Sequence, residues 1–233
     1  MILENNEHLE VFKKMYSTED CIMIPIQCSD TKHSVSDKLS LLYLQMWSGN
    51  EFILPFNHSE TLNIEIPNLE SDTKKYTYDR KKLNQFVELD NVIDVNLLHY
   101  MATNVPLSIE DIDTTAHHFF NMRYYKKENI NTIVPVMKHL EKCREIAKIL
   151  RDTIEKYAEH VKMTYNNEVL DNLSYIESNG LQTTDGVVYS EYNLYTSTGR
   201  PSNRFGGINF AALNKTDGSR KPYVSRFKNG VLV

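Results

Sequence analysis

Between Ile133 and Val161 apolar or semi-apolar residues recur at Ile133, Val136, Leu140, Cys143, Ala147, Leu150, Ile154, Tyr157 and Val161, a strict 3-4 alternation. Only an α-helix keeps such positions on one face. Asn131 and Thr132 are good N-caps, and Pro135 is tolerated in a first helical turn, so the helix is expected to begin there. At about 1.5 Å per residue it would reach on the order of 45 Å. A seam of that length demands an antiparallel partner helix or a coiled-coil mate. The expected partner is 165–178, with Val169, Leu173 and Ile176 and the C-cap signal Asn179-Gly180. Taken alone, the seam equally suits a bundle connector or a homodimer zipper.

Upstream, the pattern changes. A short amphipathic helix (Leu9, Phe12, Met15) precedes the continuous apolar run Cys21-Ile22-Met23-Ile24-Pro25-Ile26, which reads as a buried strand. Residues 39–45 and 51–56 give two more strands around the hairpin turn Ser48-Gly49-Asn50. Residues 83–87 read as a short helix or strand, 91–95 as a strand, and 96–101 as the start of a helix. Strands followed by helices indicate a mixed α/β layer fold. A chain of 233 residues with 41% hydrophobic content can bury a core and divide into domains. It holds no 18-residue apolar run and no signal-like N-terminus, so a cytoplasmic protein with no membrane partner is expected. Cys21, Cys28 and Cys143 lack metal-ligand spacing, which suggests a reducing compartment without disulfides or zinc.

The net charge of −5 conceals an asymmetry. Residues 196–228 hold Arg200, Arg204, Lys215, Arg220, Lys221, Arg226 and Lys228 against Asp217 alone, while 163–195 hold five acids and no base. Residues 120–162 are basic as well, and 1–119 are acidic. Segregated positive charge is a footprint for a polyanion. Within the last block an alternating strand (Tyr192, Leu194, Thr196, Thr198) runs into Gly199-Arg200-Pro201-Ser202-Asn203. Glycine lets the main chain approach a phosphate, arginine offers it a planar charged fork, and Ser, Thr and Asn donate further bonds. That strand, at 194–198, is preceded by one at 187–190, and a pair 222–227 and 231–233 around Asn229-Gly230 completes the reading of this end.

Thr196-Ser197-Thr198-Gly199-Arg200-Pro201-Ser202, followed by Gly207-Ile208-Asn209-Phe210 and by Asp217-Gly218-Ser219-Arg220-Lys221, resembles the T-x-T-G-R-x-S segment of family A DNA polymerases, the bacterial polymerase I class. The resemblance implies an N-terminal portion of such a polymerase, of a phage or other virus. Residues 1–119 would be an RNase H-like 3′–5′ exonuclease domain, 120–182 a helical thumb, and 183–233 the first antiparallel strands of the palm. Thr196, Thr198, Gly199, Arg200, Ser202, Asn203, Asn209, Arg220 and Lys221 would contact primer-template DNA. The family's D-Y-x-x-x-E/H strand is not reached before Val233, so the catalytic aspartates and their Mg²⁺ are expected on a palm-and-fingers polypeptide or on further sequence, and no catalytic or metal residue is assigned here. An exonuclease of this family needs Asp-x-Glu and two further aspartates to hold two divalent metals. The chain offers Asp30-Thr31-Lys32, then Asp94 and Asp111 or Asp113, and Lys32 would repel the metals, so the module reads as degenerate. His33, His58, His99, His117 and His118 are scattered and read as structural. The rival readings are a stand-alone exonuclease using Asp30, Asp94 and Asp113, and a non-catalytic DNA-binding replication subunit.

Overall fold

The computed structural model describes residues 1–27, 39–56, 69–87, 89–109, 140–159, 165–204, 212–214 and 216–230. The chain divides into two compact units, Met1–Asn167 and Glu168–Val233.

Unit 1 is built on a five-stranded sheet in the order β3-β2-β1-β4-β5. Its strands are β1 (Cys21–Gln27), β2 (Leu39–Met46), β3 (Glu51–Pro55), β4 (Lys75–Thr77) and β5 (Val92–Asp94). β2 runs antiparallel to both β1 and β3, whereas β4 and β5 run parallel to β1. The β2–β3 turn is closed by Gly49, whose φ of +91° only glycine adopts without strain. The central strand explains its own composition. Ile22, Ile24 and Ile26 point into one core cluster and Cys21 and Met23 into the other, so both faces of β1 are covered and the run is continuously apolar. Pro25 is tolerated because β4 pairs only with Cys21 and Ile22, leaving the side of β1 at Pro25 outside the β4 ladder.

Helices cover both faces. α1 (Asn6–Tyr16), capped by Asn5, lays Leu9, Phe12 and Tyr16 on Met23, Leu42, Leu44 and Phe52; Leu83 of α2 (Arg80–Asn84) joins the same cluster. The opposite face receives Val95 of α3 (Val95–Thr103) and the whole seam of α4 (Leu140–Lys156): Leu140, Cys143, Ile146, Ala147, Leu150 and Ile154. This is an α/β/α sandwich. The 3-4 pattern is therefore correct as a helix over 140–154, but its partner is the sheet, with Ile22, Ile24, Leu41, Tyr43 and Ile53 in the same cluster, rather than an antiparallel helix. A sheet face accepts a helical stripe as readily as another helix does. The helix beginning expected near Asn131 lies outside the described residues.

Two ties hold α4 along the sheet. Arg144 donates from Nε and Nη2 to Glu51, at 2.7 Å each, and Tyr43 Oη donates to the same carboxylate at 2.9 Å. The guanidinium holds the Glu51 carboxyl below its usual range. Arg151 stacks over Trp47 at 4.6 Å and donates to the Met46 and Trp47 carbonyls. Cys21 and Cys143 are buried free thiols, both pushed up by burial. No described helix is long and apolar enough to cross a membrane.

Unit 2 carries α5 (Tyr165–Asn179) into two small ladders, β6 (Leu181–Thr183) with β7 (Gly186–Val188) and β8 (Glu191–Asn193) with β9 (Ser202–Arg204). Its helix ends as expected. Gly180 adopts φ +61°, and its N–H returns to the Ile176 carbonyl at 2.9 Å. A Cβ there would lie 2.8 Å from the Val188 carbonyl oxygen. Three strand expectations are corrected. The strand expected at 187–190 is observed as β7, ending at Val188. No strand forms at 194–198: β8 ends at Asn193, and Thr196 to Gly199 form a turn with Gly199 at φ +68°. The segment expected as a strand at 222–227 is not a continuous strand. Tyr223 instead bridges antiparallel to Thr183, with Val224 N–H on the Gln182 carbonyl, so the segment extends the β6–β7 ladder. Residues 231–233 lie outside the described residues. The division between units falls within α5.

Candidate nucleic-acid interface

The β8–β9 hairpin has a rigid base and an open tip. At the base Tyr192 pairs with Asn203, and the buried Glu177 carboxylate of α5 accepts the Tyr192 N–H at 2.6 Å. At the tip, Gly199 N–H donates to the Thr196 carbonyl at 2.9 Å, and Thr196 Oγ1 donates to the Arg200 carbonyl at 2.7 Å. The Thr196 hydroxyl is thus used to close the turn. Nothing lies within 4 Å of the place a Gly199 Cβ would occupy, so glycine is needed here for its φ and leaves open space beside the main chain. Thr198, Gly199, Arg200 and Pro201 are exposed. Among the described residues none holds the Arg200 guanidinium. It is free to take a phosphate.

Ser202 is half-buried on β9. Next to it, Asn203 has both amide atoms, Oδ1 and Nδ2, shielded from solvent with no hydrogen-bond partner among the described residues. An unsatisfied buried amide costs about 1–3 kcal/mol, a burden that a ligand's donor and acceptor would relieve. Asn209 lies outside the described residues. The second basic cluster is a turn in which Asp217 accepts the Ser219 N–H at 2.8 Å, and that bond holds the exposed Asp217 carboxyl below its usual range. Arg220 donates from Nε and Nη2 to the Leu213 carbonyl, at 3.2 and 2.9 Å. Its charge and that of Lys221 remain exposed.

The sequence reading missed Arg226. Its Nη2 donates to the Asn179 and Gly180 carbonyls, at 2.8 Å each, and so satisfies the C-terminus of α5 from more than forty residues away. The Asn179-Gly180 signal announces a helix end but not which cation completes it.

The carboxylates of unit 1 have other employment. Asp94 ends β5 and is fully buried; Oδ1 accepts Leu97 N–H and Oδ2 accepts Arg80 N–H, at 2.8 Å each, so one side chain caps both α3 and α2. Burial, reinforced by the charge of Asp79, pushes its carboxyl up to about 7. This donor set fits a double cap and not a metal ligand. Among the described residues no three His, Cys, Asp or Glu side chains gather as metal ligands would. His99 bonds the Val105 carbonyl and meets Tyr157 edge-on at 5.6 Å, a packing role. Asp30, Lys32, Asp111, Asp113, His33, His58, His117 and His118 lie outside the described residues.

The Asp94 geometry has a pH consequence. A folded-state value raised above the ordinary carboxylate value makes the native state bind more protons than the unfolded chain. The stability Asp94 contributes is therefore complete below pH 4 and falls as pH rises through about 7. In urea melts between pH 4.5 and 8, the difference in stability between wild type and Asp94→Asn should shift in favour of Asn as pH rises. A difference that does not vary with pH would show Asp94 ionised throughout.

Comparison with known proteins finds no matching family model and no matching curated protein. Among solved structures, the chain is similar to the Nibbler EXO domain of Aedes aegypti, at 12% identity and a TM-score of 0.42 over 73% of this chain and 93% of that one.

Proposed function

We propose that this chain is the nucleic-acid-binding N-terminal portion of a polymerase resembling family A DNA polymerases. In this reading unit 1 is an exonuclease-like scaffold and unit 2 grips the phosphate backbone of primer-template DNA. The observation that carries the proposal is the exposed Arg200 at the tip of a glycine turn, with its guanidinium free among the described residues and one acid in a segment of seven bases. Three features support it. The order T-S-T-G-R-P-S, then G-I-N-F, then D-G-S-R-K is that of the polymerase segment. The sheet order β3-β2-β1-β4-β5, with β2 antiparallel to its neighbours and β4 and β5 parallel to β1, suits an RNase H-like module. The hairpin is braced by Glu177, so Arg200 is presented on a fixed base.

Chemically, Arg200 would form paired N–H···O bonds to a phosphate, and the Thr198 hydroxyl and the main chain at Gly199 would lie beside the same oxygens. Such contacts position a duplex and carry no sequence information. Catalytic aspartates and Mg²⁺ would belong to the palm-and-fingers portion; no step of nucleotide transfer is assigned to residues of this chain.

The test is fluorescence anisotropy with a primer-template duplex at several salt concentrations. Arg200→Ala should weaken binding roughly ten-fold or more, equally for unrelated sequences, as the loss of a charge-assisted bond does. The slope of log K against log salt should fall by about one. Wild-type affinity and slope in the mutant would make Arg200 a turn residue only and remove the proposal's main support.

A further inference from the structure

Phe227 is the most exposed of the large apolar side chains on the described surface, at 75%. A single exposed apolar side chain is ordinary on a protein surface. This one is distinguished by how it is held and by what flanks it. Its N–H donates to Ser225 Oγ at 3.1 Å and its carbonyl accepts Gly230 N–H at 2.9 Å, so both backbone groups are engaged in the turn. Asn229 takes φ +68°, and a Cβ on Gly230 would fall 2.0 Å from Ser225 Oγ, so the turn depends on a left-handed Asn followed by a residue with no side chain. The preceding residue, Arg226, spends its guanidinium on the carbonyls ending α5 and pins the turn to that helix. On the other side Lys228 is exposed, as are Arg220 and Lys221 earlier in the segment. The chain thus presents a bare ring on a fixed turn, next in sequence to the exposed Lys228.

We propose that Phe227 is a stacking platform for an unpaired nucleobase, such as one at a template overhang. The proposal rests on the nucleic-acid reading of unit 2 and adds a second kind of contact, to a base and not to a phosphate. A phenyl ring offers its face to any base, the fixed turn reduces the ordering cost of binding, and Lys228 meets the adjoining phosphate. A protein partner would also use an exposed aromatic, but the surroundings favour a polyanion: Asp217 is the one acid in 196–228, and it is engaged with Ser219.

The experiment uses the full chain and three 5′-labelled probes: a twelve-nucleotide oligo-dT, an abasic strand with the same number of phosphates, and a primer-template duplex. Phe227→Ala should weaken oligo-dT binding about 5- to 100-fold, the range of one lost base stack, and leave abasic binding unchanged. Phe227→Trp should match or exceed wild type on oligo-dT. Equal affinity of Phe227→Ala and wild type for oligo-dT, or an equal loss on both strands, overturns the stacking role. If duplex binding still depends on Arg200, that result leaves the proposed function standing. A wild-type chain that binds none of the three probes overturns both.

Discussion

Phe12→Ala should cost unit 1 about 3–5 kcal/mol, enough to bring a domain of ordinary stability close to unfolding. Phe12 is fully buried. Its ring lies 5.1 Å from Tyr16 and 5.3 Å, edge-on, from Phe52, so it is the aromatic link between α1 and β3. Met23, Leu44 and Leu54 belong to the same cluster. Truncation removes the transfer free energy and leaves a cavity that the laddered strands of the sheet cannot collapse to fill. The measurement is a urea melt with unchanged slope and a lowered midpoint. A loss below about 1 kcal/mol would mean that α1 is loosely attached and that the sheet is stable without it.

The second large effect concerns the other face. Ile146→Ala should cost about 2–5 kcal/mol, because Ile146 is fully buried at the centre of the α4 seam. The magnitude alone would not say what α4 packs against, so the informative measurement is a double-mutant cycle with Ile24→Val on β1. Side chains sharing one cluster should couple by at least about 0.5 kcal/mol, whereas a lever projecting away from the sheet would give additive losses. Additivity here would favour the antiparallel helix or coiled-coil mate expected from the 3-4 pattern as the partner of α4.

Those two faces also show what can be read from a chain and what cannot. The run Cys21 to Ile26 is a strand with both faces buried because nothing in it is polar enough to meet water. The stripe Leu140 to Ile154 is helical because its period admits no other backbone, Gly49 turns a hairpin, and Gly180 ends a helix. Each of these is a local property, carried by neighbours within a few residues. β4 escaped notice for the same reason: Lys75-Tyr76-Thr77 is too short and polar to show a pattern. It becomes a buried strand only when β1 and β5 supply its ladders. Lys75, 1% exposed, is then satisfied by the Ser71 and Thr73 carbonyls and the Tyr16 ring.

At the candidate interface the division is similar. The basic bias of 196–228 and the glycine turn before Arg200 are legible residue by residue. Which cations remain free is not, since Arg200, Arg220 and Arg226 look alike in the sequence. Arg226 finds the open carbonyls of α5, Arg220 finds Leu213, and Arg200 finds no partner among the described residues. Asp94 shows the same divergence, a carboxylate at a strand end that suits a metal on paper and caps two helices in the fold. Sequence alone determined the elements and the sign of the surface, because period and charge are intrinsic to the chain. Tertiary structure decided partners, because a stripe, a guanidinium or a carboxylate is satisfied by whatever distant group the fold brings within reach.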